Sequence, residues 1–226
     1  MKAPQMPAVL TIGHSNRTWK DLLELLQAHH VKRVIDVPSI LRSRHDPQFK
    51  RVTLSKKLRA ARIGYVYSRK LGGLRHARRD SPNMGWRNAS FRGFADYLQT
   101  SEFEAGLHRL IKLARQKRSA IMCAEAVPWR CHRSLIADAL TIRGIRVDDI
   151  MRTKRSQVHL LIPFARVQGH RIRLRSALRI DSRSSAIIIR GTENLQEGNA
   201  LSIKILFKLK YTERFITQAQ VMMKAD

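Results

Sequence analysis

The sequence predicts an α/β fold: a mainly parallel five-stranded sheet with helices on both faces, a Rossmann-like three-layer arrangement, followed by a C-terminal extension. Three observations predict it. Short apolar runs alternate with amphipathic stretches as far as Ile150. Gly or Pro closes several of these runs, as at Gly13 and Pro38. Polar motifs recur just after the runs, where right-handed crossovers gather the loops on the carboxyl edge of a parallel sheet.

The elements follow in order. "AVLTIG" (Ala8–Gly13) is a buried-strand run ending in Gly, and "TWKDLLELLQAHH" (Thr18–His30) a helix. The helix has Leu22, Leu23, Leu25 and Leu26 on one stripe and Thr18 as N-cap. "VKRVIDV" (Val31–Val37) is a second strand stopped by Pro38, and Leu54–Gly64 a short helix closed by its glycine. Tyr65–Ser68 is a third strand, and one long helix is expected over Phe91–Gln116. "SAIMCA" (Ser119–Ala124) is the fourth strand, His132–Gly144 a helix with a C-terminal glycine, and Ile145–Ile150 the fifth strand. Residues 1–175 read as one α/β domain. Residues 176–226 read as a basic extension of unknown role, with strand-like runs but no motif.

The chain has 226 residues, of which 43% are hydrophobic, too apolar for a wholly disordered chain. No apolar run approaches the roughly 20 residues that span a bilayer, and the N-terminus lacks the apolar core of a secretory signal. A cytoplasmic location without membrane association is expected. The charge is extreme: 44 Lys and Arg against 17 Asp and Glu, formally +27. Such a surface attracts polyanions, so an anionic ligand or nucleic acid is the expected partner.

The polar motifs converge on one sheet edge. "GHSN" follows the first strand, "DVPSILRSR" the second, "LGGLR" the third, and "CAE" ends the fourth. The only cysteines, Cys123 and Cys131, are too few for a disulfide framework. Cys131 precedes a helix and adjoins His132 and Arg133, a setting that lowers a thiol's pKa and favours the nucleophilic thiolate. Cys123, at a strand end, reads either as a small buried hydrophobe or as part of the site. Glu125 is a candidate general acid or base or a salt-bridge partner, and His14 lies within its expected reach. Ser15 is a cap or a ligand contact. Asp36 is placed to bind Arg44, cap a loop or orient His14. Arg42 and Arg44 suit a two-pronged grip on phosphate or carboxylate, with Gly72, Gly73 and Arg75 adding a permissive backbone and another cation. Tyr65, Tyr67, Trp86, Phe91 and Phe94 are either core or base-stacking groups.

Two common chemistries fit poorly. The cysteines, eight positions apart, do not reproduce the usual C-x₂₋₄-C zinc spacing, so no metal is expected. No G-x-G-x-x-G follows the first strand, which argues against a dinucleotide enzyme. The residues identify no cofactor.

"TIGHSNRT" (Thr11–Thr18), "IDVPSILRSRHDPQF" (Ile35–Phe49), "LGGLR" (Leu71–Arg75), "FADYLQTSEFEAGL" (Phe94–Leu107) and "MCAEAVPWRCHRSLIADAL" (Met122–Leu140) resemble the family called domain of unknown function 488. "VHLLIPFARVQG" (Val158–Gly169) is similar to that family's closing segment, so the resemblance runs over roughly Pro7 to Leu174. It implies a small soluble bacterial or archaeal protein and carries no reaction. The sequence departs from the family at Pro38, where Arg is usual, and at Leu41, where Pro is frequent. Two readings remain open: an enzyme acting on a nucleotide, nucleic acid or other phosphorylated substrate, and a non-catalytic basic nucleic-acid-binding protein.

Overall fold

The computed structural model describes residues 7–38, 47–84, 88–162, 165–169 and 171–174. Six strands form one sheet in the order β3-β2-β4-β1-β5-β6. They are β1 (Val9–Gly13), β2 (Arg33–Asp36), β3 (Gly64–Tyr67), β4 (Ser119–Cys123), β5 (Val147–Arg152) and β6 (Arg155–Val158). The first five are parallel, and β6 returns antiparallel to β5. The chain first lays β1, β2 and β3 outward, then returns to insert β4 between β2 and β1. It adds β5 on the far side of β1. The order therefore reverses at β1, whose carboxyl end faces the kind of crevice in which α/β folds bind ligands.

Alternation along the strands builds two cores. Leu10, Ile12, Val34, Ala120 and Met122 face α1 (Trp19–Ala28) and α2 (Arg51–Ala60), burying Leu22, Leu26, Leu54 and Leu58. Val9, Ile35, Ile121, Cys123 and Val147 share the other core with α3 (Ala89–Tyr97), α4 (Ser101–Gln116) and α5 (Arg133–Thr141). This is the expected three-layer α/β arrangement. Thr18 caps α1 with a capping box, its hydroxyl accepting from the Asp21 amide at 3.1 Å.

Several boundaries differ from expectation for identifiable reasons. The helix expected over Phe91–Gln116 is two. Thr100 accepts from the Phe103 amide at 3.2 Å and starts α4 afresh, while Asn88 caps α3. α2 ends at Ala60 because Arg62 takes the left-handed turn (φ 58°), so Gly64 opens β3 instead of closing the helix. The sixth strand was not anticipated. β6 is four residues long and mostly exposed, so it carries almost no alternation signal. A separate antiparallel pair joins β7 (Ala165–Gln168) to β8 (Arg171–Leu174). The expected extension over 176–226 and the loop with Arg42 and Arg44 lie outside the described residues. Among the described residues no helix is long and apolar enough to cross a membrane.

One polar cluster is buried in the α5-side core. Thr11 donates to Asp149 at 2.5 Å, and the ring of His159 spans Asp149 Oδ2 at 3.3 Å and Asp138 Oδ1 at 2.8 Å. Burial works against an imidazolium here, but the two carboxylates outweigh it and raise His159 to about 9. Burial also pushes Asp138 up, against the pull of His159. The imidazolium is the member that keeps the proton, because both of its nitrogens face carboxylate oxygens. A base whose folded pKa exceeds the unfolded 6.5 contributes stability that is complete below pH 6.5 and lost as pH rises through about 9. His159→Gln leaves two buried carboxylates without their cation, so it should cost about 3–5 kcal/mol. Urea denaturation of the two proteins should show the gap widest below pH 6.5 and closing above pH 9.

Candidate functional site

The site begins where β1 and β4 end side by side, with Gly13 in register with Cys123. The ladder continues past the strands: His14 donates its amide to Cys123 O at 3.0 Å and Ser15 to Ala124 O at 2.8 Å. Ser15 adopts the left-handed region (φ 46°), which turns the chain away from the sheet. Gly13 admits no side chain. A Cβ there would overlap the Glu125 carbonyl and come within 2.8 Å of the Arg133 guanidinium.

Arg133, the first residue of α5, is 1% exposed and is among the largest fully buried side chains. Its Nη1 donates to Cys123 Sγ at 2.7 Å and to the Glu125 carbonyl, and its Nη2 to the Ala126 carbonyl at 2.9 Å. Among the described residues it makes no carboxylate ion pair, so the anion nearest to hand is the Cys123 sulfur. Burial opposes the charge of Arg133, yet the two cysteine sulfurs more than offset it and hold its pKa above the ordinary value.

The thiols respond in opposite directions. Burial would raise Cys123, but a hydrogen bond from Cys131 and the Arg133 charge bring it down to about 7. Cys131 accepts the Arg133 amide at 3.5 Å, the helix-end contact its position predicts. Even so, burial and the neighbouring Cys123 sulfur push it well up. The lowered thiol is therefore at the strand end, and Cys131 keeps its proton. The helix-start signal at Cys131 competes there with complete burial.

His132 lies against the same cluster. Its Nδ1 is 3.6 Å from Cys131 Sγ, its ring meets Phe94 edge-on at 5.0 Å, and a Cβ on Gly73 would fall on the ring. Burial, then the Arg133 charge, lower its pKa to about 3, with the nearby Leu71 carbonyl opposing weakly. The ring is neutral. Among the described residues, His132 Nε2, Arg75 Nε and Arg133 Nε are buried without a hydrogen-bond partner. Arg75 stacks its guanidinium over Tyr97 at 3.9 Å, and Tyr97 packs 5.9 Å from Phe94. His132 and Arg75 thus share one aromatic wall.

The other expected residues divide. His14 is buried and stacked on Phe49 at 4.2 Å, with Nδ1 3.1 Å from Ser15 O. Glu125 is half-buried; its backbone carbonyl serves Arg133 and lies 3.8 Å from Cys123 Sγ. Gly73 donates to Pro38 O at 2.9 Å and Gly72 to Arg69 O at 3.0 Å, so the "LGG" turn is tied to the end of β2 through backbone. The Pro38 ring also lies against this turn, since a Cβ on Gly72 would come within 3.2 Å of its Cγ. Asp36 accepts from Tyr65 at 2.6 Å, and burial raises its pKa against that bond. Tyr65 is thereby committed to Asp36, Tyr67 carries Arg51 over its ring at 4.4 Å, and Phe94 is core. Arg42, Arg44 and Trp86 lie outside the described residues. Among the described residues no three His, Cys, Asp or Glu side chains are placed to hold a metal ion.

Sequence reasoning missed two polar groupings. One is the Asp138–His159–Asp149 cluster, whose signal was a pair of acids, Asp148 and Asp149, inside a strand. The other is Asp96 on α3, which receives the Arg78 amide (3.0 Å), Ser81 Oγ (2.7 Å) and Asn83 Nδ2 (2.7 Å) and so orders the loop before α3.

The Cys123–Arg133 pair sets a measurable expectation. In Cys131→Ser, thiolate absorbance should rise through an apparent pKa below the ordinary 9.0. Adding Arg133→Met should return the thiol to 9.0 or above, provided circular dichroism shows the fold retained. An acid whose folded pKa is depressed contributes stability that is complete above its unfolded value and lost as pH falls through about 7. The arginine variant should lose that part of the pH dependence.

No curated protein and no solved structure matches the chain. A family model does: Domain of unknown function DUF488 matches residues 18–140, more than half of the chain. The matched span runs from the cap of α1 to the last turn of α5 and takes in Cys123, Glu125, Cys131, His132 and Arg133. The chain belongs to the DUF488 family.

Proposed function

We propose that residues 1–175 form an α/β domain with an enzyme-like pocket at the carboxyl edge of the sheet, acting on an oxyanionic substrate: a nucleotide, a nucleic-acid phosphate or another phosphorylated compound. One observation carries this reading. Three side-chain nitrogens, Arg75 Nε, His132 Nε2 and Arg133 Nε, are buried without a hydrogen-bond partner among the described residues. A buried donor left unpaired costs about 1–3 kcal/mol, and the two guanidinium N–H groups call for a group rich in acceptors. Two of the three sit on permanent cations, so that group should be an anion. Phosphate oxygens meet both demands. Arg42 and Arg44, in the loop after β2, would add a second grip.

In this reading Cys123 is the nucleophile, held as thiolate by Arg133, and Cys131 is its proton partner. Glu125 and His14 flank the turn over the sulfur and move protons to and from the substrate. Arg75 and His132 orient the anion.

A second reading is favoured by the distribution of charge. Residues 1–175 hold 36 of the 44 Lys and Arg and 12 of the 17 Asp and Glu, a formal excess of 24, whereas 176–226 hold eight and five. The cationic surface therefore belongs to the α/β portion, as a non-catalytic nucleic-acid-binding protein would require.

Calorimetry with inorganic phosphate, a nucleoside monophosphate and a short oligonucleotide separates the two. The pocket reading expects a small phosphorylated compound to bind, with affinity falling about tenfold or more in Arg75→Ala, a loss of about 1.4 kcal/mol. Binding of the oligonucleotide alone, steeply salt-dependent and indifferent to Arg75→Ala and Cys123→Ser, would establish the second reading instead.

A further inference from the structure

We infer that Cys123 and Cys131 form a dithiol site that reduces hydrogen peroxide, Cys123 attacking and Cys131 resolving to an internal disulfide. The inference rests on the strand-end thiols alone and stands independently of the oxyanion pocket.

The geometry assigns the two sulfurs different tasks. Cys123 Sγ sits 2.7 Å from Arg133 Nη1, a permanent cation that stabilises a thiolate and can hydrogen-bond an oxygen transferred to that sulfur. Cys131 Sγ touches the same residue through its amide, at 3.5 Å, and His132 Nδ1 at 3.6 Å. Both sulfurs are thus held against one residue, Cys123 by its guanidinium and Cys131 by its amide. Between them runs a connection whose only regular element is a short turn, Pro128–Arg130. Neither cysteine is in a disulfide, and both are buried. Burial favours a small uncharged oxidant over a bulky disulfide such as oxidised glutathione.

The chemistry balances without another reactant. The Cys123 thiolate attacks one peroxide oxygen, an S–O bond forms and the O–O bond breaks. Hydroxide leaves and takes up the proton released when Cys123 ionised, giving the first water. Sulfur is oxidised by two electrons and peroxide is reduced. Cys131 sulfur then attacks the Cys123 sulfenic acid; the S–S bond forms, the S–O bond breaks, and hydroxide leaves with the Cys131 proton as the second water. The step also removes the negative charge facing Arg133. Redox state and charge balance at the end of the sheet are thereby coupled.

The test uses the reduced full-length chain with stoichiometric hydrogen peroxide and no phosphorylated compound, quenched by alkylation in denaturant and read by peptide mass spectrometry. Both thiols should be lost together as one Cys123–Cys131 disulfide that dithiothreitol reverses. Cys131→Ser should trap a sulfenic acid on Cys123, captured by dimedone, and Cys123→Ser should leave Cys131 fully alkylatable. If either variant fails to fold, dimedone competition in the unmodified chain reads the same order, Cys123 labelled before Cys131. Thiols that remain alkylatable after peroxide, oxidation that begins at Cys131, or a disulfide only between chains would overturn the inference. None of these outcomes alters the calorimetric result with phosphate, so the two readings fail separately.

Discussion

A guanidinium buried at the end of a parallel sheet governs the rest of this molecule. Arg133 is placed where β1 and β4 stop, and water cannot solvate it there. An unpaired buried charge is among the most destabilising features a fold can contain, so every neighbouring element has to supply something. The connection after β4 turns the carbonyls of Glu125 and Ala126 inward, and β4 contributes the Cys123 sulfur. β1 contributes the absence of a side chain at Gly13. A loop that aims its carbonyls at a cation cannot also aim its amides at an anion. The connection from β4 to α5 is therefore an arginine cradle at its first two carbonyls.

The same helix is held a second time by the opposite charge. One and a half turns beyond Arg133, Asp138 meets His159, which also meets Asp149 on β5, itself bonded to Thr11 on β1. α5 thus carries a buried cation against the end of β1 and a buried anion against its middle. Apolar packing alone would tolerate small slides of a helix across a sheet. Two polar anchors of opposite sign, each with fixed partners, do not, because a slide would strand both charges in the core. The helix start is consequently fixed relative to the strand ends, which is what a reactive site needs from its scaffold.

The layers were legible in the sequence because they follow from periodicity. Leu22, Leu25 and Leu26 recur at helical spacing, and Leu10, Ile12, Ala120 and Met122 alternate along two strands. The β5–β6 return was not legible, since Arg155–Val158 is too short and polar to announce a face. The break before α4 was signalled only by Thr100, one hydroxyl within an otherwise continuous pattern. At the site, residue types and the sheet edge could be read, but not which sulfur carries the charge. Cys131 has the local marks of a reactive thiol, whereas Cys123 has none within its own segment. Its partner is ten residues on, and the contact exists only once α5 folds back over β4. Arginine is among the residues least often fully buried, so nothing local distinguishes Arg133 from Arg130 or Arg143. The signal was indirect: a glycine ending a central strand marks a close approach, and the group approaching Gly13 is that guanidinium.

Charge counting joins the proposed pocket to the dithiol. Two cations, Arg75 and Arg133, act on the His132 ring, and together with burial they keep it neutral despite its ordinary value of 6.5. A protonated ring would have added a third positive charge. The neutral ring instead presents one N–H. In the disulfide, the Arg133 guanidinium would keep only the Glu125 and Ala126 carbonyls as hydrogen-bond partners. In the proposed reading, an oxyanion at Arg75 and His132 would leave the thiolate beside Arg133. The proposed ligand and the proposed oxidant would therefore act on one local balance, the charge set against a buried arginine.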